Sequence, residues 1–543
     1  MSNGIFSTPV PKNEPVYSYA PGSPERQRLK AELARLSSEE VDIPLIIGGK
    51  EIRTGDTGTC VMPHRHGHRL GVYHKAGSKE VAAAIAAAQE AKAAWAALPW
   101  EQRAAVFLKA AEMAAQEWRA TLNASTMLGI SKTVYQAEID SACELIDFWR
   151  FNTHYMEQIY RQQPESSPGV WNRLEQRPLE GFIFAVTPFN FTSIAGNLPT
   201  APALMGNTVV WKPASSAVYN AYYVMRLLEA AGLPPGVINF VPGSGQLVGD
   251  EVLAHPDLAG IHFTGSTAVF KDMWRAVGTN IHRYRTYPRL VGETGGKDFV
   301  FAHPSADVDS LRTALIRGAF EYQGQKCSAA SRAYIPRSLW TKLRDDLIEQ
   351  TKELTMGDPC DFTNFMAAVI DKHAFQNIKS YIEYAANSSE AEILAGGGCD
   401  DSVGYFIEPT IVQTANPKFK LMEEEIFGPV LTIYVYNDGD IEEALELCNT
   451  TSPYGLTGSV FAQDRQAIAW ITRALSNAAG NFYVNDKPTG AVVGQQPFGG
   501  SRASGTNDKA GSMLNLLRWV SPRAIKETLV PPVHYSYPHM KEA

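Results

Sequence analysis

The sequence predicts an α/β protein with two α/β domains and a small separate β element. Short apolar runs typical of buried strands alternate with helical patterns over residues 181–296, and the same alternation returns from Ala306 onwards. Such alternation indicates βαβ units and parallel sheets. Residues 166–180 (SSPGVWNRLEQRPLE) interrupt the earlier helical region with Pro and Gly and then alternate, which predicts a protruding hairpin.

The elements of the N-terminal half follow from local patterns. Residues 1–40 are rich in Pro, Ser and charge and are expected to wrap the surface. Ala-rich periodic segments predict helices, and Gly232 is a helix stop signal. The predicted order is short strands over 45–63, helices over Lys79–Glu117 and Gln136–Glu157, strands over 181–190, 207–214, 236–243, 260–266 and 289–304, and helices over 217–232, from Gln246 and from Thr267.

The second half predicts further strands with helices between them. Ligands on parallel sheets bind beyond the carboxyl ends of the strands, so residues just after strands are the candidates for a site. The predicted strands lie in 333–336, 367–371, 392–398, 406–412, 427–436 and 455–462, and the segment 516–530 is again strand-like.

Composition excludes several classes of protein. The net charge is -8 with no basic stripe, so no nucleic-acid partner is predicted. No apolar run reaches the ~18 residues of a membrane span. The N-terminus has no signal or transit-peptide layout, which predicts a cytoplasmic protein and leaves a processed organellar chain as the alternative. The six cysteines form no CxxC pair, so neither a disulfide framework nor a metal site is predicted.

One cysteine stands in an unusual setting. Cys327 lies among small and polar residues in EYQGQKCSAASR, between Lys326 and Ser328. Free cysteines are more often buried among apolar side chains. Small neighbours leave room around the sulfur, so Cys327 is either a nucleophile or an incidental free thiol.

Other motifs lie at predicted strand ends. Glu293 in LVGETGGKD is either a partly desolvated base or an ordinary turn glutamate. Asn190 follows a strand and is either an oxyanion donor or a turn asparagine. Gly265 and Ser266 in FTGST join a strand to a helix, which suits a phosphate but is also the form of a common turn.

The motifs together, in this order, resemble the aldehyde dehydrogenase superfamily from about residue 45 to the C-terminal region. The matching stretches are PFNF, WKPA, FTGS, GETGGK, GQKC, EEIFGPV and PFGGSRASG. Residues 478–509 are similar to the branch that oxidises glutamate γ-semialdehyde. One departure is Ser215, where many members have a glutamate that bonds the adenosine ribose.

The resemblance implies a mechanism and a set of site residues. Cys327 is the implied nucleophile, forming a thiohemiacetal and then a thioester, with Asn190 holding the oxyanion and Glu293 activating water. The implied cofactor is NAD, with NADP less favoured. The implied cofactor-binding residues are Thr187, Pro188, Phe189, Lys212, Gly265, Ser266, Glu425 and Phe427, and the implied substrate-binding residues are Phe191, Lys326, Ser328, Gly490, Ala491 and Phe498.

The implied reaction is NAD-dependent oxidation of L-glutamate γ-semialdehyde to L-glutamate, the second step of proline catabolism. The implied domains are an N-terminal extension (1–40), a Rossmann-type NAD-binding domain (41–159 and 181–296) and a catalytic domain (297–509). Residues 160–180 and 510–543 are the implied oligomerisation flap and tail, for a homodimer or an assembly of dimers.

Three alternatives stay open at this stage. The first is an NAD(P)-dependent dehydrogenase of another short acidic semialdehyde, such as succinate semialdehyde. The second is a cysteine hydrolase or acyltransferase, although no histidine motif pairs with Cys327 as such an enzyme requires. The third is a non-catalytic protein of the same fold, which needs neither Cys327, Glu293 nor Asn190.

Overall fold

The structure, a computed structural model, describes residues 4–542. A π-helix covers Glu138–Glu144, and short 3₁₀ helices cover Ser215–Ala217, Glu321–Gly324, Asp438–Asp440 and Pro538–Met540. The α-helices are α1 (Pro24–Ser38), α2 (Ser78–Ala97), α3 (Trp100–Ala115), α4 (Arg119–Ile130), α5 (Val134–Ala137), α6 (Leu145–Arg161), α7 (Thr192–Leu204), α8 (Val218–Ala231), α9 (Gly245–Leu253), α10 (Thr267–Thr279), α11 (Val308–Phe320), α12 (Arg337–Lys352), α13 (Lys372–Ala386), α14 (Lys420–Glu423), α15 (Ile441–Thr450), α16 (Arg465–Ala474) and α17 (Met513–Leu517).

The strands form two large sheets and several small ones. They are β1 (Val41–Ile43), β2 (Leu45–Ile47), β3 (Lys50–Ile52), β4 (Thr57–Met62), β5 (Arg65–His74), β6 (Val170–Pro178), β7 (Phe182–Val186), β8 (Val209–Lys212), β9 (Ile238–Phe240), β10 (Leu258–Thr264), β11 (Arg289–Glu293), β12 (Asp298–Ala302), β13 (Ala330–Pro336), β14 (Ala391–Ala395), β15 (Cys399–Asp400), β16 (Phe406–Ile407), β17 (Thr410–Thr414), β18 (Val430–Tyr436), β19 (Tyr454–Gly455), β20 (Thr457–Phe461), β21 (Asn481–Val484), β22 (Ser501–Arg502) and β23 (Val520–Thr528).

The first large sheet has the strand order β11-β10-β7-β8-β9-β2-β3. Its first five strands are parallel, and β2 is antiparallel to both of its neighbours. Phe182 and Phe184 of β7 pack with α2, α9 and α10 on one face, whereas Ile183 and Ala185 pack with α7 and α8 on the other. Because helices cover both faces of the sheet, the sequences of its strands are continuous apolar runs.

The second large sheet has the order β14-β17-β18-β13-β12-β20-β21, in which only β14 is antiparallel to its neighbour. Two separate hydrophobic clusters cover its two faces. The two sheets confirm the α/β fold class predicted from the alternating pattern.

A two-stranded ribbon lies apart from both sheets. β6 and β23 pair antiparallel over their full lengths, from Val170 opposite Thr528 to Pro178 opposite Val520. Within residues 4–542 no further strand pairs with either edge of this ribbon. The extended segment predicted at 166–180 is therefore one strand of a ribbon, and its partner comes from the C-terminal region.

Several predicted elements differ in the structure. The helical region predicted over Lys79–Glu117 forms two helices, α2 and α3, and Pro99 lies at their junction because proline cannot donate the hydrogen bond that a continuous helix needs. The helix predicted over Gln136–Glu157 contains the π-helix. Helix α1 was not predicted within residues 1–40, and it buries Leu29, Leu33 and Leu36.

Two strand predictions are wrong. The segment 367–371 (AAVID) is not a strand, because the backbone N–H groups of Ala367 and Ile370 donate to the side chains of Gln323 and Gln325 instead of to a sheet. Within the segment 516–530, which was predicted to be a strand, the strand begins only at Val520. The segment's first residues, Leu516 and Leu517, end helix α17, which packs against α6.

Candidate active site

The site lies where the carboxyl ends of the first sheet meet the amino ends of β12 and β13. The chain leaves β7 and builds β8 and β9 on one side, then β10 and β11 on the other, so the strand order reverses between β7 and β10. Crevices of this kind are the usual ligand sites of parallel sheets. The two sheets meet here, since Asn190, which follows β7, donates from Nδ2 to the Gln325 carbonyl at 3.1 Å.

The loop that carries Cys327 has unusual backbone geometry. Three consecutive residues are left-handed, with φ of 52° at Tyr322, 55° at Gln323 and 64° at Gly324. Left-handed backbone is costly for residues with a side chain and needs support from its surroundings. The support is the Gln323 amide, which donates to the carbonyls of Ser131 at 3.1 Å and Ala368 at 2.7 Å.

The Cys327 thiol is half-buried and reaches an internal cavity. Burial is the main cause that raises the pKa of Cys327 well above its usual value, and the carboxyl groups of Asp298, Glu293 and Glu425 raise it further. A thiol with a raised pKa is protonated near neutral pH. Nucleophilic chemistry at this sulfur therefore needs a group that accepts its proton.

Glu293 lies at the end of β11 and lines the same cavity. Its Oε2 accepts a hydrogen bond from the Gly500 N–H at 3.0 Å. Burial raises the pKa of Glu293 well above that of an ordinary glutamate, although the Gly500 hydrogen bond and Lys509 oppose the shift. A carboxylate with a raised pKa is a stronger base near neutral pH.

The cavity has a volume of about 390 Å³ and brings most of the predicted catalytic and substrate residues together. Asn190 is buried beside the Cys327 loop and does not line this cavity. The predicted residues that line it are Cys327, Glu293, Phe191, Lys326, Ser328, Gly490, Ala491 and Phe498.

Individual contacts define the walls of the cavity. The Ser328 hydroxyl shares a hydrogen bond of 2.8 Å with the hydroxyl of Thr489. Gly490 has a φ of 99°, a conformation that favours glycine. Lys326 is buried and its Nζ lies 3.3 Å from the Glu321 carboxylate, so it does not point to solvent. Burial lowers the pKa of Lys326.

The predicted cofactor residues lie outside this cavity, and those of the first sheet follow its carboxyl edge. Lys212 ends β8 and is buried, and desolvation lowers its pKa from 10.5 to about 8. Thr187 follows β7, and its hydroxyl accepts a hydrogen bond of 3.0 Å from the Trp211 indole. Ser266 caps α10, with its Oγ accepting from the Val269 N–H at 3.3 Å.

Glu425 and Phe427 approach the same crevice from the second sheet. Glu425 Oε1 accepts from the Gly296 N–H at 2.9 Å, and burial raises the pKa of Glu425 to about 7. A side chain at Gly295 would come within 2.2 Å of Glu425 Oε2, so this close approach requires glycine. The Phe427 ring meets the ring of Phe189, which follows Pro188, edge to face at 5.7 Å between centroids.

These residues fit a dinucleotide. Lys212 makes no hydrogen bond or ion pair with another side chain in the described part of the chain, so a buried donor is available for a ligand at the sheet edge. Helix α10 begins directly after β10 at the point where the strand order reverses, and its N-terminal N–H groups favour an anionic group.

The cavity is also lined by residues that the sequence reasoning missed, among them Asn13, Glu14, Glu144 and Asp147. Glu144 ends the π-helix, its Oε2 accepts from the Ser193 hydroxyl at 2.9 Å, and burial raises its pKa to about 8. A signal was present, since Glu144 and Asp147 are two carboxylates in the otherwise apolar run CELIDFW.

The fold and the site define a class of two-sheet α/β enzyme, with a dinucleotide-type crevice on one sheet and a thiol at the amino end of the other. Residues 52–521 match the Aldehyde dehydrogenase family. The chain belongs to that family.

Relatives and solved structures extend over nearly the whole chain. The chain is 55% identical to "Delta-1-pyrroline-5-carboxylate dehydrogenase, mitochondrial" of Dictyostelium discoideum, with 98% of this chain and 96% of the relative covered. It is 51% identical to the Homo sapiens protein of the same name, with 97% and 94% covered. The crystal structure of the Mycobacterium tuberculosis Delta-pyrroline-5-carboxylate dehydrogenase bound with NAD is 57% identical, covers all of both chains and superposes with a TM-score of 0.97.

Proposed function

We propose that the protein oxidises L-glutamate γ-semialdehyde, which is in equilibrium with Δ1-pyrroline-5-carboxylate, to L-glutamate with NAD as the oxidant. The observation that carries this proposal is the single cavity in which Cys327 and Glu293 meet the groups expected to hold an amino-acid end. The relatives that match nearly the whole chain have names that refer to the same substrate.

Cys327 is the proposed nucleophile. The raised pKa of its thiol means that a base removes the proton before the sulfur adds to the aldehyde carbon. The addition gives a thiohemiacetal whose oxygen carries the developing negative charge. Asn190 is proposed to donate to that oxygen, since its amide lies beside the Cys327 loop and holds the carbonyl of Gln325.

NAD, when bound, accepts the hydride from the carbon atom attached to sulfur. Lys212, Ser266 and Glu425 are proposed to hold it, with Phe427 and Phe189 beside the ring that reacts. Further contacts along the sheet edge are proposed from Thr187, Pro188 and Gly265.

Glu293 is the proposed base for the second half of the reaction. The oxidised substrate is a thioester on Cys327, and hydrolysis requires a water molecule that loses a proton as it attacks. The raised pKa of Glu293 suits this step near neutral pH. The products are the new carboxylate and the regenerated Cys327 thiol.

The substrate is proposed to lie with its amino-acid end away from the sulfur. Ser328 and the backbone N–H groups near Gly490 and Ala491 suit the α-carboxylate, and glycine at 490 allows a close approach. Phe191 and Phe498 flank the aliphatic part, and the Lys326 cation adds attraction for the carboxylate. An aldehyde without the amino-acid end lacks these contacts.

NADH formation with purified protein tests the proposal. Wild-type protein is expected to reduce NAD faster than NADP with glutamate semialdehyde, and Cys327→Ala is expected to bind NAD but form no NADH. Cys399→Ala, which removes another half-buried thiol, serves as the matched control and should be active. A higher kcat/KM for succinate semialdehyde would contradict the amino-acid anchor and support the alternative acidic semialdehyde.

The domain roles, assembly and compartment are also proposals. Residues 41–159 with 181–296 are proposed to bind NAD, and residues 297–509 to supply the nucleophile. Residues 160–180 with the C-terminal segment from 510 are proposed to join two protomers, alone or within an assembly of dimers. In a eukaryotic cell the mitochondrial matrix is the proposed compartment, and in a bacterium the cytoplasm. No helix among residues 4–542 is long and apolar enough to cross a membrane.

A further inference from the structure

A segment near the amino terminus contributes residues to the wall of the substrate cavity. Residues 4–20, here called the N-terminal strap, contain neither helix nor strand. Asn13, Glu14 and Val16 of the strap nevertheless line the cavity that holds Cys327. The proposed chemistry uses none of these three residues.

Buried polar contacts fasten the strap along its length. The Thr8 hydroxyl donates to Glu157 Oε2 at 2.7 Å, and the Tyr19 hydroxyl donates to Glu138 at 2.8 Å. Between these points the Glu14 carboxylate is 7% exposed and pairs with Arg119 and Arg150, each at 2.6 Å. Removing one partner from such a buried pair is costly, so the middle of the strap is held in one place.

Asn13 connects the strap to two parts of the cavity wall. Its Nδ2 donates to Asp147 Oδ2 at 2.8 Å and to the Val493 carbonyl at 2.8 Å. Its Oδ1 accepts from the Gln495 side chain at 2.9 Å. The amide thereby uses both hydrogens and its oxygen to join α6 to the segment 489–498, here called the anchor loop.

The anchor loop is held at several points, and the contacts with Asn13 lie near its middle. It has no regular secondary structure, and Gly490 and Gly494 have φ of 99° and 81°, so its backbone is intrinsically free to adopt other conformations. Phe498 at its end is fixed by a bridge to Ala510. Near the middle of the loop, Asn13 bonds the Val493 carbonyl and the Gln495 side chain. These two residues follow Ala491 by two and four positions.

We propose that Asn13 is a positioning residue for substrate selectivity, because it holds the anchor loop where the backbone of Gly490 and Ala491 meets the amino-acid end of the semialdehyde. The inference rests on the proposed function. It assigns Asn13 no contact with the reacting carbon, so loss of Asn13 weakens recognition of the amino-acid end and leaves the chemistry at Cys327 intact.

Kinetics of Asn13→Ala with two aldehydes of equal chain length test this role. With glutamate semialdehyde, KM is expected to rise about tenfold with kcat preserved, because the variant loses the two neutral hydrogen bonds that Asn13 makes to the anchor loop. With pentanal, which has no amino-acid end, kcat/KM should not change. Lys12→Ala, the exposed neighbour in the strap, is the matched control and should behave as wild type for both substrates.

The outcomes separate the possible failures. The selectivity ratio is kcat/KM for glutamate semialdehyde divided by kcat/KM for pentanal. An unchanged ratio, including an equal loss of kcat/KM for both aldehydes, would show a general structural role and overturn the inference. If Asn13→Ala does not fold, Gln495→Ala removes the partner on the loop side and should lower the same ratio, and no change there counts against the inference. Wild-type protein that ignores glutamate semialdehyde would instead overturn the proposed function.

Discussion

At the residue scale, the pKa values of Cys327 and Glu293 are both raised, which favours the neutral form of each side chain. Desolvation is the larger cause for both, since it disfavours a thiolate and a carboxylate alike. Both reactive groups are therefore shifted toward protonation. Proton transfer between buried groups and water then becomes part of each half-reaction, which makes activity depend on pH.

Glu293→Gln is expected to separate the two halves of the reaction. The first turnover should still release one equivalent of NADH, while steady-state turnover falls by about 10²–10⁴, the usual range for loss of a general base. Stopped-flow absorbance measures both phases. Loss of the initial burst would contradict the assignment of Glu293 to thioester hydrolysis.

The pH dependence of the wild type provides a second test of Glu293. A base acts only when deprotonated, and its pKa lies above the ordinary glutamate value, so steady-state turnover should rise with pH across a range above that value. Glu293→Gln should remove this rising limb. A limb that persists in the variant would belong to another group.

Lys212→Met is expected to weaken NAD binding while stabilising the protein. The pKa of Lys212 falls from 10.5 to about 8 in the folded state. At a pH below the folded-state pKa, the folded protein must keep a buried positive charge, so removing the lysine should raise Tm near pH ~7. Near pH ~10 the lysine is largely neutral in the folded protein, so the gain in Tm should be smaller. Tm and NAD titration measure the two effects, and exposed Lys79→Met is the control. A lower Tm would show that Lys212 is stabilised by its surroundings.

At the element scale, the Cys327 loop is held by a segment that resembles a strand only in its sequence. The AAVID segment at 367–371 has a strand's composition, but two glutamine side chains take its N–H groups. A pattern of apolar residues predicts burial well and does not reveal which acceptor a buried N–H group finds. The left-handed backbone of Tyr322 and Gln323 was likewise beyond sequence reasoning, because only the third left-handed residue, Gly324, is a glycine.

Gln323→Ala is expected to destabilise the protein by about 3 kcal/mol, since it leaves a buried N–H group and two carbonyl groups without their partner. It should also lower kcat, because the left-handed backbone before Cys327 loses its support. Urea unfolding and NADH kinetics measure the two effects. Gln463→Ala, at an exposed position, is the control, and equal stability of the two variants would contradict this account of the loop.

At the scale of the whole molecule, the sheets and the order of the site motifs could be predicted from the sequence. Apolar runs and turn residues carry that information locally, and residues that follow parallel strands meet at one edge. The contribution of residues 4–20 to the cavity could not be predicted. It depends on contacts between Asn13 and residues such as Gln495, which are distant in sequence and have no local pattern.

The ribbon of β6 and β23 gives a prediction about assembly. Trp171 on this ribbon is 52% exposed, and an exposed strand edge readily pairs with another chain. If the ribbon joins protomers, Trp171→Asp should shift the protein toward monomer in light scattering coupled to size exclusion. Tyr287→Asp alters an aromatic residue that is 83% exposed and is the matched control. Equal assembly of both variants would place the interface elsewhere.

The most direct test of the whole account is mass spectrometry of Glu293→Gln protein quenched during turnover with glutamate semialdehyde and NAD. A glutamyl thioester is expected on the peptide that contains Cys327. Normal formation of glutamate without an adduct on that cysteine, or an adduct on a different cysteine, would contradict covalent catalysis at Cys327.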